Sequence, residues 1–409
     1  MTQLFSSMQF KASRPVVIGV AGALVLAVIL FVVLRGSDSS DSPQAIGGAA
    51  YAGPVAEGEG QISVLAWPGY IENGSTDPKI DWITGFEKET GCKVSVRTFG
   101  TPEQAVDLFK SDEFDVVAAP GITTLQLIKD GRLQPLNTEL LINWADIFED
   151  LRTQAANDVE GLTFGAPQGR VANVLMYRTD VIDPAPETWA EVWNANSAYA
   201  GRISAYDSPI TIADAALYLM STQPDLLITD PYSLDEKQFQ AAVDLLTAQS
   251  ANVGLYWSDY AAQLQAFKAG EVVLGSTWQV IVNLAKAEGA PLNAVMPQEG
   301  TTGWSDSWSI RKDTPNINCA YLFVDHMISP IVNASVAEWF GQAPSNSKAC
   351  DVTTNAKHCA TYRASDAEFW SQVQYWTAPT EKCRDERTDV ACVPYEDWIK
   401  AWNSQVRVQ

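Results

Sequence analysis

The sequence predicts an α/β protein: two α/β domains on mainly parallel sheets, preceded by one transmembrane helix. Three observations predict it. Residues 15–34 contain no charged side chain. About 350 of the 409 residues follow residue 60, room for two domains of ordinary size. Along them short apolar runs alternate with helical stretches, which is the pattern of βα units.

At about 1.5 Å per residue, residues 15–34 cross a hydrocarbon core of roughly 30 Å. Lys11 and Arg14 precede the span and put residues 1–14 in the cytoplasm. A cleaved signal peptide has a shorter apolar core of about 7–15 residues. This run is longer and ends at Arg35, so an uncleaved anchor is expected, with cleavage near Ala50-Tyr51-Ala52 as the alternative. No cysteine stands just after the span, which excludes a lipid anchor. Residues 35–60 are rich in Ser, Gly, Ala and Pro and read as a flexible linker.

Residues 62–66, 94–96 and 116–118 read as buried strands, and residues 79–89 and 102–110 as the helices between them. The pattern continues with strands at 162–167 and 172–178, a helix at 188–194, a strand at 202–206, a long helix at 234–250 and a strand at 272–275. In open α/β sheets ligands bind beyond the carboxyl ends of the strands. Trp67 to Tyr70 and Pro120-Gly121-Ile122 fall there.

A formal net charge of −22 excludes a nucleic-acid binder. No nucleophile elbow, zinc-binding histidine pair or phosphate-cradling loop occurs, so an enzyme is not expected, and no cofactor is implied. The two histidines fit no metal spacing with the six cysteines. An anchored domain outside the cytoplasm keeps disulfides. Cys350 and Cys359 bracket one short loop, and Cys383 and Cys392 another, so local pairing is the least costly closure in chain entropy. Six cysteines alone allow fifteen connectivities.

The best candidate site is Gly275-Ser276-Thr277-Trp278 with Gly303-Trp304-Ser305-Asp306-Ser307-Trp308. Indole faces attract an organic cation by roughly 0.5–2 kcal/mol each. Asp306 supplies the counter-charge, and aromatic walls lower the local dielectric.

Several strings resemble the spermidine/putrescine-binding family of solute receptors for ABC importers. They are Trp67-Pro68-Gly69-Tyr70-Ile71, Trp82 to Gly91, Asp115-Val116-Val117, Gly131 to Leu136, and Gly289 to Ser307. The resemblance runs from about residue 61 to about residue 346. It implies a two-lobed periplasmic-binding-protein-like fold whose chain crosses a hinge near 167–172 and again near 304–306. Residues 61–168 would form lobe 1, 169–304 lobe 2, and 305–349 the return to lobe 1, with a helix at 317–328. Residues 350–409 would form a disulfide-bearing segment packed on lobe 2. Cys92 and Cys319 both fall in lobe 1 under this layout, which implies a third bridge. The partners implied are a small amine, ABC permease subunits and, through the anchor, the membrane, with the receptor a monomer facing the periplasm or the cell exterior.

Carried over by the resemblance, Trp67, Tyr70, Trp278 and Trp304 are aromatic walls, Asp306 holds an amine and Ser258 is a polar contact. The departures concern the ligand. The family's two far-end acids stand here as Ser208 and Thr211, with Asp207 beside them, a pocket tyrosine appears as Ile122, and Arg170 replaces an aromatic. A polyamine is the leading expectation. The alternative is a zwitterionic amino acid derivative, an opine or a guanidino compound whose carboxylate pairs with Arg170.

Overall fold

The computed structural model describes residues 48–111, 113–385 and 387–408. The expected anchor at 15–34 and the first half of the linker lie outside these residues; among the described residues no helix is long and apolar enough to cross a membrane.

In chain order the strands are β1 (Gln61–Ala66), β2 (Lys93–Thr98), β3 (Val116–Pro120), β4 (Asp158–Val159), β5 (Leu162–Thr163), β6 (Ala166–Arg178), β7 (Ile203–Tyr206), β8 (Val253–Trp257), β9 (Leu274–Trp278), β10 (Leu292–Val295), β11 (Thr301–Ile310), β12 (Ala343–Pro344) and β13 (Val373–Tyr375). β1 pairs in parallel with β2 and β3, and β11 runs antiparallel between β3 and β6. The second sheet places β9 antiparallel to β6, then β7 and β8 in parallel order. β10 covers the other edge of β6.

One strand therefore serves both sheets. β6 pairs with β11 as far as Ala172 and with β9 from Asn173. The sequence expectation of two strands at 162–167 and 172–178 is corrected here. Residues 162–163 belong to the β4–β5 hairpin, and β6 is continuous because twelve of its thirteen residues are buried and need ladder partners. Each sheet carries its own core. Ile62, Val64, Phe109, Trp308 and Phe323 mark the first, and Leu175, Ile212, Phe239 and Phe267 the second. From the C-terminal segment, Tyr395, Trp398, Trp402 and Val406 lie in the second core.

Two local boundaries differ from expectation for capping reasons. The first helix spans Thr84–Thr90 and not 79–89, because the Asp81 carboxylate accepts the N–H groups of Ile83 and Thr84 at 3.0 and 2.9 Å and so starts the helix there. The long helix Glu236–Ser250 starts after Asp235, which forms a capping box with Gln238.

The last part of the linker is not a free tether. Glu59 accepts the N–H groups of Asn318 and Cys319 at 2.9 and 2.8 Å, capping the helix Ile317–Met327, and the Tyr51 ring packs 5.8 Å from that of Tyr321. The free N–H groups at a helix start bind a carboxylate, which outweighs the entropy of a Gly-rich strand of chain.

The disulfides are Cys92–Cys319, Cys350–Cys359 and Cys383–Cys392. The first closes a sequence separation of 227 residues against 9 for each of the others. Cross-link stabilisation grows with loop length, by roughly 3 kcal/mol over this range. Replacing Cys92 and Cys319 by serine is expected to lower the denaturation midpoint more than replacing either local pair. Equal losses in urea melts would contradict the loop-length account.

Candidate functional site

β1 ends at Ala66, and the next four residues make a tight turn closed by Tyr70 N–H to Trp67 C=O at 3.2 Å. Pro68 sits at its second position and Gly69 at its third with φ +91°, the pairing a type II turn requires. The turn aims Trp67 and Tyr70 at β11. Trp304 and Asp306 alternate on one face of that strand. Trp67 Nε1 donates to Asp306 Oδ1 at 3.1 Å, and Tyr70 Oη and Trp304 Nε1 donate to Oδ2 at 2.5 and 3.2 Å.

Asp306 is 1% exposed. Burial pushes its carboxyl up from 3.8 to about 6, and the hydrogen bonds from Tyr70, Trp67 and Trp304 hold it from rising further. Burial, and then the adjacent carboxylate, push the Tyr70 hydroxyl well above its ordinary value. Tyr70 therefore stays a donor.

An aromatic cluster surrounds this carboxylate. The Trp278 ring lies 4.9 Å from Trp304, 6.3 Å from Trp67, 5.7 Å from Tyr206 and 5.0 Å from Trp257. Trp376 stacks on Trp304 at 4.9 Å. On the solvent side of the cluster, two compartments of about 320 and about 460 Å³ open between the sheets. They share Pro68, Tyr260, Trp278 and Phe340. Their lining includes the carboxylates of Asp259 and Glu72 and no lysine, arginine or histidine.

The structure brings Trp67, Tyr70, Trp278, Trp304 and Asp306 together, with Ser258 lining the smaller compartment. Asp306 does not line the cleft. It stands behind Trp67 and Trp304, whose N–H groups point at it.

Four expected residues lie elsewhere. Asp207 is ion-paired with Arg407 at 3.0 Å. Ser208 Oγ donates to Glu103 at 3.3 Å, Thr211 Oγ1 donates to the Ser208 carbonyl at 2.8 Å, and neither lines the two compartments. Arg170 is the clearest correction. It pairs across the ladder with Ser305, so strand alternation sends its side chain to the face opposite Trp304 and Asp306. There it donates to Asp150 at 2.5 Å and to the Ala364 carbonyl at 2.8 Å, and lies 4.5 Å over the Trp370 ring. Ile122 packs against the second core.

Sequence reasoning missed Tyr206, Trp376, Tyr260, Phe340 and Glu72. Tyr206 ends a strand at the sheet's carboxyl edge, the position already credited to Trp67, and that signal was available. Glu103 reaches from the first lobe to Ser208 and to the Tyr395 hydroxyl, so a carboxylate does occupy the region from which the far-end acids are missing.

Residues 81–361 match the family model described as bacterial extracellular solute-binding protein. The spermidine/putrescine-binding periplasmic protein of Escherichia coli is 26% identical over 284 residues, 68% of this chain and 76% of that protein. A putrescine-binding periplasmic protein of the same organism is 22% identical over 319 residues, 74% of this chain and 82% of that one. Among solved structures, a putative spermidine/putrescine ABC transporter from Listeria monocytogenes superposes with TM-score 0.70 at 19% identity, covering 86% of this chain and 100% of its own. The binding protein MotA from A. tumefaciens in complex with glucopine gives 0.63 at 20% identity, covering 85% and 98%. At such identities the likeness speaks for the two-lobed fold alone.

Proposed function

The chain belongs to the bacterial extracellular solute-binding protein family, the substrate-capturing, non-enzymatic component of ABC importers working outside the cytoplasm, and from that premise we propose that its solute is a cationic amine of the polyamine kind. The solute lies between the lobes against Trp67, Trp278 and Tyr260, and the receptor delivers it to permease subunits while residues 15–34 hold it at the membrane. One observation carries this reading: aromatic rings and two carboxylates line the cleft, with no cationic side chain among its lining residues. An ammonium in such a cleft meets aromatic faces and carboxylates and no like charge among the lining residues. The zwitterion alternative needs Arg170 in the cleft, and its guanidinium is turned to the opposite sheet face.

A thermal-shift screen of the full chain against spermidine, putrescine, amino acids and guanidino compounds tests this. A ligand at a hundred times its Kd adds about 2.7 kcal/mol. A shift with amino acids and none with any polyamine sinks the proposal. Tyr260 is 43% exposed and lines both compartments, so Tyr260→Ala is expected to leave the melting temperature of the free protein nearly unchanged and to weaken spermidine about tenfold, by loss of one cation–π wall. Titration calorimetry reads the affinity directly.

A further inference from the structure

Arg170, turned away from the cleft, lines a cavity of its own. About 190 Å³ open against the face of β6 that carries Arg170, Ala172 and Val174, walled by β10 and by residues 361–370 of the C-terminal segment. This cavity shares no lining residue with the two compartments of the cleft. Its charge is also the reverse of theirs. Two guanidinium groups, Arg170 and Arg363, line it, and among the described residues that line it there is no aspartate or glutamate, in a chain of net charge −22. Arg170 is 3% exposed, and its Nε–H is covered with no hydrogen-bond partner. A donor so placed has lost its water and gained nothing in return. Arg363 is exposed, lies 5.0 Å over the Phe369 ring and pairs with Asp366 at 3.0 Å. The carboxylates that pair with the two arginines stand outside the lining. Asp150 is exposed and Asp366 half-buried, so either can give up a guanidinium edge to an incoming anion and stay hydrated. Trp370, Phe369 and Met296 supply apolar wall. The volume falls below the roughly 300 Å³ at which drug-sized sites begin and suits a body of one ring.

We propose that this cavity is a second binding site, for a small carboxylate with an apolar body of one ring, whose anionic end is taken by Arg170 and Arg363 while the body lies against Trp370 and Met296. A carboxylate matches the fork of a guanidinium through paired N–H donors, and the rings beside both arginines fix the orientation of those forks. The site goes beyond the capture of an amine and does not depend on it. Its ligand touches β6 just where that strand passes from one sheet to the other, on the face away from Trp304 and Asp306. It therefore binds together with the solute and not in its place.

Three probes separate charge from ring: benzoate, its neutral isostere benzamide, and acetate, each titrated calorimetrically into the full chain at low salt. Benzoate is expected to bind at least tenfold more tightly than either of the others, and equally well with or without excess spermidine. Arg363→Gln, at an exposed position outside the cleft, is expected to weaken benzoate tenfold or more and to leave spermidine within twofold of wild type. Thr361 is exposed and lines the same cavity, so Thr361→Glu sets a like charge there without burying it and is expected to abolish benzoate binding. No benzoate binding by the wild-type protein, or an affinity unchanged in both variants, overturns the site. Acetate or benzamide binding as tightly as benzoate overturns the assigned ligand class, and displacement of benzoate by spermidine overturns the separation from the cleft.

Discussion

Asp306→Asn is expected to weaken spermidine binding at pH 8 by about tenfold to a hundredfold, roughly 1.4–3 kcal/mol, the Coulomb attraction of a carboxylate that acts through one aromatic layer and does not touch the solute. The carboxylate acts from behind the aromatic wall, and the apolar surroundings keep its field from being screened. Its pH dependence separates this from a packing effect. In the free protein Asp306 titrates at about 6. Below that pH a bound ammonium must expel a proton, so affinity falls by up to about tenfold per unit, and above it the affinity is flat. Asp306→Asn should remove the slope along with the affinity. The stability of the free protein carries the same group with its own sign. Because the folded value lies above the unfolded 3.8, the contribution is fully present below 3.8 and is lost as pH rises through about 6. An asparagine variant that binds spermidine within threefold of wild type at pH 8 would remove Asp306 from the site.

Asp214→Asn is expected to stabilise the protein at pH 8 by up to ~4 kcal/mol, the equivalent of a shift of about three pH units. Asp214 stands half-buried in the first turn of the helix Thr211–Thr222 and accepts a hydrogen bond from the Thr302 hydroxyl. That hydroxyl already accepts from Asn173 Nδ2 at 2.8 Å and Trp376 Nε1 at 3.3 Å. Burial pushes Asp214 from 3.8 to about 7, with Thr302 opposing. Between those values the folded state holds a proton that the unfolded state has released, so wild-type stability falls as pH rises from about 4 to about 7. The amide is a permanent neutral stand-in. Its melting curve should coincide with wild type below pH 4 and lie above it at pH 8; parallel profiles across that range would refute the buried-acid account.

The first sheet and the leading wall of the cleft were legible because their signals are local. A buried strand followed by Trp67-Pro68-Gly69-Tyr70 specifies both the strand end and the turn. Arg170 was misplaced because its role depends on strand parity. The one-residue alternation that puts Trp304 and Asp306 on the cleft face puts Arg170, opposite Ser305, on the other, and no composition near Arg170 reports that register. Glu72 lies only two residues past Tyr70, yet the cleft wall it joins is completed by Trp339, 267 positions away. Tyr206 meets Gly100 across 106 residues and Glu103 meets Tyr395 across 292, contacts that only the closed topology brings together. Trp304 is legible and also revised. At 2% exposure inside the second core, its loss to alanine is expected to cost about 3–5 kcal/mol of stability as well as affinity.

The place of β11 in the first sheet sets the order in which the molecule can be completed. β3 waits for a neighbour that lies near the far end of the chain, Trp67 and Tyr70 wait 239 and 236 residues for Asp306, and Cys92 waits for Cys319. At roughly 5–20 residues per second, a chain emerging N-terminus first spends about 10–40 s between the end of β3 and the end of β11. Through that interval the open edge of β3 is a template for any other strand it meets. No solute can shorten the wait, since the walls that would grip it have not yet emerged. Yield of the folded receptor is therefore limited by how well that edge is shielded during synthesis and export, while affinity for the solute governs only the finished molecule.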